Sequence, residues 1–348
     1  MFTNRDLRNL IVPLFVEQFL LMLVGLADTF VVSFVGDAAV SGVSLVNAFN
    51  TVFLFLFTAL ASGGAVIISQ YIGSGNNERA GRSAGQLLML SVLSAVALSA
   101  AILLFQRPLL EALFGKVEEP VMEACGIYLR ISAYSFPALA VYNAGAALCR
   151  SIGKTNVTMY ISTAANGINI VGNLVGVFAL GAGVAGVAYP SLIARTLSAA
   201  AVTVYCFAQR LPVRYRRREI FTWDGELLKR VLGIAIPNGV ENGVHQLVKV
   251  ALSSMVALFG TYQIAANGVA QSIWSLAALM GQAMAPVFTT VIGQCMGAGD
   301  REAANFYFKK LSRITFVLSV AWNALVFALT PILMGFFAIS DEAKSLVI

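Results

Sequence analysis

Nine stretches of this chain are apolar and long enough to cross a lipid bilayer: residues 9–34, 43–72, 84–105, 122–148, 157–178, 184–208, 229–257, 263–296 and 304–330, with a tenth starting near 341. About 20 apolar residues in a helix span the hydrocarbon core. Lipid offers the backbone no hydrogen-bond partner, so each stretch must satisfy its own N–H and C=O groups as a helix. Several stretches exceed the bare spanning length, which predicts tilted or kinked helices. Composition agrees. Of 348 residues, 58% are hydrophobic and 11% are charged, against roughly 25% charged in soluble domains. An ordinary soluble enzyme, a disordered regulator and a secreted disulfide scaffold are excluded. Cys125, Cys149, Cys206 and Cys295 are widely spaced, no CxxC occurs and the chain has one histidine, so neither a disulfide framework nor a zinc site is expected. The first stretch lacks a small-residue cleavage site and reads as a retained helix. The expected fold is an all-α polytopic membrane protein.

The formal charge of +6 is explained by topology rather than by nucleic acid. Arg5 and Arg8 precede span one, Arg79 and Arg82 follow span two, Arg150 and Lys154 follow span four, and Arg301, Lys309, Lys310 and Arg313 follow span eight. The opposite connections hold Arg107, Lys116, Arg130 and Lys344. Basic residues gather on the cytoplasmic side, which places the N terminus there. The connector 209–228 is the most basic, with Arg210, Arg214, Arg216, Arg217, Arg218, Lys229 and Arg230 in and beside it. It could bind anionic lipid headgroups, but a topological anchor is the better reading.

The chain also repeats itself. At a fixed offset of 224 residues, Pro13 meets Pro237, Glu17 meets Glu241, Gly36 meets Gly260, Gln70 meets Gln294, Gly73 meets Gly297, Gly75 meets Gly299 and Glu78 meets Glu302. With a one-residue gap, Pro108 and Phe114 meet Pro331 and Phe337. Copies with the same span order share an orientation, so the repeat is parallel, about an axis along the membrane normal. The expected organisation is an N-terminal lobe of six helices (1–208), a basic connector (209–228) and a partial second lobe (229–348). Doubling the repeat implies a longer, twelve-helix protein of which this chain is a C-terminally truncated version.

Charges inside spans are costly, roughly 2.5–3.5 kcal/mol each on insertion scales, and point to function. Asp28 has no cation within a helical turn. A bare anion there is unfavourable, so it suits a group that exchanges a proton or takes a sodium ion. It falls opposite Leu252 in the repeat, which confines its role to the first lobe. Asn166, Asn169 and Asn173 form one polar stripe on span five, Asn169 and Asn173 about 40° apart and Asn166 and Asn173 about 20° apart. Their amide oxygens suit a hard cation or interhelical hydrogen bonds. Glu241, His245 and Lys249 lie at i, i+4 and i+8 on span seven. That stripe reads as a coupling or substrate site, with Glu241 able to hold His245 protonated, or as a neutralised structural network. Glu17 shares the Asp28 face and could be a conformational pin. Arg195 in span six could pair with a carboxylate or snorkel. Gly153-Lys154-Thr155 is no phosphate loop, because Leu148 stands where that pattern needs Gly. The GSG and GAG tripeptides at 73–75 and 297–299 follow helices, where Gly commonly caps. No catalytic constellation is visible, so no enzyme is expected and any pumping must be driven by an ion gradient.

These residues resemble the multidrug and toxic compound extrusion (MATE) transporters over essentially the whole chain. The resemblance is carried by Pro13 with Glu17, Ala27-Asp28-Thr29, GGAVIISQYIGSG at 63–75, RSIGKTNVTMYI at 150–161, INIVGN at 168–173 and GQCMGAGDREAA at 293–304. It implies two six-helix lobes around a central cleft, alternating access, and export of an organic, cationic, drug-like molecule in exchange for H+ or Na+. It matches the family's first-helix aspartate to Asp28, its bending proline to Pro13 and its fifth-helix polar pair to Asn169 and Asn173. Some members are acidic where Asn173 stands. A functional glutamate on the seventh helix of some members falls at His245, with Glu241 one turn earlier. The acidic residue of the tenth helix falls beyond residue 348. No cofactor is implied beyond the coupling ion, and no metal beyond Na+ at Asp28, Asn169 and Asn173. The implied partners are a small organic substrate and the bilayer, not nucleic acid. The implied setting is a multi-pass monomer in the bacterial plasma (inner) membrane. A lipid-linked-precursor flippase of the same two-lobe type is the alternative, though the few mid-membrane cations, Arg195 and Lys249, favour small organic substrates.

Overall fold

The structure is a computed structural model and describes residues 2–114, 117–257 and 261–335. The helices run α1 (Asn4–Ser33), α2 (Asp37–Gly73), α3 (Asn77–Leu104), α4 (Gln106–Phe114), α5 (Glu119–Ser151), α6 (Thr155–Leu174), α7 (Ala185–Cys206), α8 (Arg217–Phe221), α9 (Gly225–Ala257), α10 (Thr261–Ala277), α11 (Leu279–Gly297) and α12 (Arg301–Gly335). A π-helical turn, Val175–Ala179, continues α6. Among the described residues, eight helical stretches are long and apolar enough to cross a membrane. α9 falls short of that mark because Asn238, Glu241, Asn242, His245, Gln246 and Lys249 lower its hydropathy. The span expected at 263–296 is divided at Ala278 into α10 and α11. α4 falls in a segment whose sequence suggests a loop. It buries Leu110 and is held by Gln106, whose Nε2 donates to the Gly126 carbonyl at 2.6 Å. The tenth stretch and Lys344 lie outside the described residues, as do Lys116 and Gly260.

The repeat is visible bond by bond. After α2, Ser74 N–H donates to the Gln70 carbonyl, Gly75 to Ile72 and Asn76 to Tyr71. After α11, Ala298 donates to Gln294, Gly299 to Met296 and Asp300 to Cys295. Gly75 and Gly299 both have φ of 75°, a left-handed conformation that glycine adopts without steric cost. Asn76 and Asp300 then cap the next helices, accepting from Arg79 N–H at 3.0 Å and Ala303 N–H at 2.8 Å.

The two copies meet along their second helices. A Cβ added at Gly73 would lie 1.9 Å from the Gln294 carbonyl oxygen, and one at Gly297 would lie 1.9 Å from that of Gln70. These contacts exchange under the 224-residue repeat. Ser69 touches Gly293, its own repeat-mate. The pseudo-twofold axis therefore passes between α2 and α11 at this level. Each copy's second helix also packs on the other's first, α2 on α9 and α11 on α1. A side chain cannot enter such a contact without moving backbone, and overpacking typically costs 1–3 kcal/mol. Gly297→Ala is expected to cost about 3 kcal/mol and to lower the melting temperature in detergent, whereas Gly281→Ala, with open space at its Cβ, is expected to be near neutral.

Two of the carbonyls freed by prolines inside helices accept from side chains of neighbouring helices. Pro13 has no N–H for the Asn9 carbonyl, and Thr155 Oγ1 on α6 donates to that carbonyl at 2.8 Å. Pro137 likewise frees the Ala133 carbonyl, which accepts from Ser99 Oγ at 2.8 Å. Thr155→Val leaves the Asn9 carbonyl orphaned, at a cost of about 1–3 kcal/mol. The expected result is a lowered melting temperature that Thr155→Ser restores.

The connector is docked rather than loose. Gln86 of α3 donates to the carbonyls of Glu219 and Thr222 and accepts from Asp224 N–H. Arg82 pairs with Asp224 at 2.9 Å. Val213 and Tyr215 are buried. Gly81 and Gly85 let α3 approach the backbone of Arg214 and Glu219. Burial pushes the Glu219 carboxyl above its usual range.

Candidate functional site

α6 and α7 approach closely because glycines face them. Gly172 lies against Pro190, and Gly176 against Gly186. That contact places the Asn stripe beside α7. Asn169 Nδ2 donates to Ser191 Oγ at 2.8 Å. Asn173 Nδ2 donates to Asn169 Oδ1 at 3.3 Å and, across to α1, to Asp28 Oδ1 at 2.5 Å. Asn169 and Asn173 are buried and Asp28 is half-buried. Asp28 makes no ion pair among the described residues. Asn173 Oδ1 is buried with no hydrogen-bond partner among the described residues. The result is a carboxylate and an unused amide oxygen on facing helices, joined through one NH2 group. Oxygen donors of this kind suit a hard cation, and the same carboxylate can hold a proton.

Two cationic or hydroxyl groups adjoin this site. Arg195 donates to Ser135 Oγ at 2.7 Å, so it neither snorkels nor pairs directly with a carboxylate, although its charge lies within reach of Asp28 and Tyr128. Tyr128 OH donates to Asn47 Oδ1 at 3.1 Å. Asn166 is half-buried, its Nδ2 is without a partner among the described residues, and it does not join the Asn169–Asn173 chain of hydrogen bonds. The sequence carries no signal for Tyr128, Ser191, Asn47 or Ser135. Each is an ordinary residue of an apolar helix until its neighbour is known.

Glu17 is fully buried but is not part of that site. Arg150 of α5 pairs with it at 2.7 Å. Tyr142 OH donates to it at 3.2 Å and Thr158 Oγ1 at 3.0 Å. Three donors from α5 and α6 pin α1 near the end that carries the basic loops. From the same corner, Thr290 and Gln294 of α11 donate to the carbonyls of Arg150 and Ser151 at 3.2 and 2.8 Å. Tyr307 OH of α12 reaches the Phe2 carbonyl at 2.9 Å and Lys310 reaches Asn4 at 2.7 Å. Leu7, Leu10, Ile11 and Leu14 pack with Met284, Val287, Val291 and Leu311. Both copies are thus fastened together at the basic end.

On α9 the expected Glu241–His245 contact does not form. Glu241 is exposed and makes no hydrogen bond or ion pair among the described residues. The repeat-mates of the groups that hold Glu17, namely Tyr142, Arg150 and Thr158, would fall beyond residue 348. His245 and Lys249 instead converge on Trp274 of α10. Lys249 Nζ stands 3.7 Å over the indole, and the His245 ring is 6.3 Å from it. Trp274 carries no sequence signal either. Cys149 and Cys206, distant in sequence, come within 3.8 Å as free thiols.

A parallel-repeat helical bundle with an unpaired carboxylate between α1 and α6 belongs to the class of multi-pass membrane transporters. The MatE family pattern matches residues 13–175 and 237–348, two segments that begin at the repeat-mates Pro13 and Pro237, and the chain belongs to that family. It is 27% identical over 330 residues to the uncharacterized transporter YisQ of Bacillus subtilis, covering 94% of this chain and 70% of that one. It is 25% identical over 310 residues to the probable multidrug resistance protein NorM of Thermotoga maritima, covering 86% of this chain and 64% of that protein's length. Among solved structures, a MOP superfamily transporter from Pyrococcus furiosus superposes with a TM-score of 0.90 at 21% identity, covering 98% of this chain and 75% of that one. The two-lobe fold is shared.

Proposed function

We propose that this protein is a secondary active antiporter that exports organic molecules in exchange for H+ or Na+ by alternating access. It acts as a multi-pass protein of the plasma membrane with its N terminus and basic loops in the cytoplasm. The observation that carries the proposal is Asp28, a half-buried carboxylate held by a single amide and by no cation among the described residues. Asp28, Asn173 and Asn169 form the coupling site, with Ser191 orienting Asn169. A proton neutralises Asp28 directly. A sodium ion would use the Asp28 carboxylate and the unpartnered Asn173 oxygen. Either event changes what Asn173 can hold, and so changes the grip of α6 on the outer half of α1. Pro13 interrupts the helical ladder of α1, and the Thr155 hydroxyl that covers the gap can be released without breaking a backbone bond. The interlocked basic end supports reading this state as closed on the side we assign to the cytoplasm, and the return stroke must break the contacts of Thr290 and Gln294. The direct test is efflux of an organic dye from proteoliposomes under separately imposed sodium and proton gradients. One gradient should drive efflux and its collapse should stop it. Efflux indifferent to both gradients would refute antiport.

A further inference from the structure

We propose that His245, Lys249 and Trp274 form a subsite for an anionic group on a flat, apolar substrate, so that the exported molecule carries a carboxylate, sulfonate or phosphate. The inference rests on the transporter reading above and departs from the cationic substrate expected from sequence. Lys249 lies well inside α9, as its repeat-mate Gly25 lies one turn from Asp28 on α1. A lysine at that depth costs roughly 2.5–3.5 kcal/mol and needs a counter-charge. None is present among the described residues. Glu241 is two turns away and unpaired, and α10 and α11 contain no Asp or Glu. Asp28 and Glu17 are held by Asn173 and Arg150 on the other copy. Trp274 places its indole under the Lys249 ammonium, which fixes the cation without neutralising it. The indole is 45% exposed and His245 is exposed among the described residues.

The helix that presents Trp274 reaches the boundary between the two copies at its C-terminal end. Two residues after Trp274, the Leu276 carbonyl accepts from Trp322 Nε1 at 2.8 Å. Trp322 packs edge-on against Phe15 and Phe19 of α1. Trp322 thereby ties α1 to the C-terminal end of α10. A ligand seated at Lys249 and Trp274 meets an aromatic face and an unneutralised ammonium together. An organic anion satisfies both, whereas an organic cation would compete with Lys249 for the indole.

The test is equilibrium binding to the purified full chain, which needs no ion coupling and so stands apart from failure of the antiport reading. Fluorescein, an anion, and tetramethylrhodamine methyl ester, a cation on a related ring system, are titrated by fluorescence anisotropy. Fluorescein should bind the more tightly. Lys249→Gln should weaken it about tenfold or more, the loss of one charge-assisted contact, and Lys249→Arg should retain most of it. The rhodamine ester should bind Lys249→Gln at least as well as the native chain. Phosphatidylglycerol, added as a competitor, should displace fluorescein weakly. Absent fluorescein binding, binding unchanged in Lys249→Gln, or full displacement by phosphatidylglycerol at equal concentration would each overturn the proposal, the last by making the subsite a lipid headgroup site.

Discussion

Asp28→Asn is expected to fold, insert and purify like the native chain and yet to lose gradient-driven efflux. The substitution is nearly isosteric. The carbonyl oxygen of the introduced amide can still accept from Asn173 Nδ2, so the bond between α1 and α6 survives. What disappears is the charge that a proton or sodium ion would neutralise. A neutral amide has one state where the carboxylate has two, so α1 no longer senses the gradient. The expected loss of coupled flux is at least about a hundredfold, a barrier change of about 2.7 kcal/mol, with substrate binding at His245, Lys249 and Trp274 retained. Flux assays should be paired with a melting curve. A loss of flux with an unchanged melting temperature assigns Asp28 to coupling, and a parallel loss of both assigns it to the fold.

Arg150→Ala is expected to have the largest effect on stability. It leaves the Glu17 carboxylate almost completely buried, with only the Tyr142 and Thr158 hydroxyls as donors. Removing one partner of a buried ion pair costs about 3–5 kcal/mol, more than the pair itself contributes. Glu17→Gln alone strands the guanidinium in the same way. The double variant Glu17→Gln with Arg150→Leu removes both charges and should recover much of the loss. That recovery, read as melting temperature in detergent, distinguishes a neutralised pin from a coupling site. If Glu17→Gln abolished efflux while leaving the melting temperature intact, Glu17 would belong with Asp28 instead.

The parts of this protein that are legible in its sequence are those with a period. Apolar runs of spanning length can only be helices in lipid, and α1, α2, α3, α5, α6, α7 and α12 coincide with them, although α2 and α3 start six and seven residues earlier than expected. The 224-residue repeat is legible because Pro13, Gly73, Gly75 and Glu78 are rare enough to align. The twin turns after α2 and α11 give its physical reason, since each needs glycine at φ of 75°. The Asn169–Asn173 face follows from 3.6-residue geometry. The partners across helices carry no such signal. That Arg150 meets Glu17, that Thr155 covers the carbonyl freed by Pro13, and that Lys249 rests on Trp274 are contacts set by how helices cross. Spacing on a single helix misleads in one instance. Glu241 and His245 stand at i and i+4, yet His245 turns to the indole on α10. At 209–228 the basic residues mark a topological anchor, but they carry no sign that Gln86 and two glycines of α3 meet its backbone or that Arg82 pairs with the Asp224 carboxylate. α4 escapes because nine residues with a single buried leucine give little pattern to read.

The most direct test of the central claim is the reverse of efflux. Proteoliposomes containing the native chain are given a substrate gradient and no ion gradient, and ion movement is recorded with an internal pH dye and a sodium dye. Antiport through Asp28 predicts that substrate leaving drives one of the two ions inward, and that Asp28→Asn abolishes this ion movement. Substrate flux with no accompanying ion, or ion flux undiminished in Asp28→Asn, would contradict it.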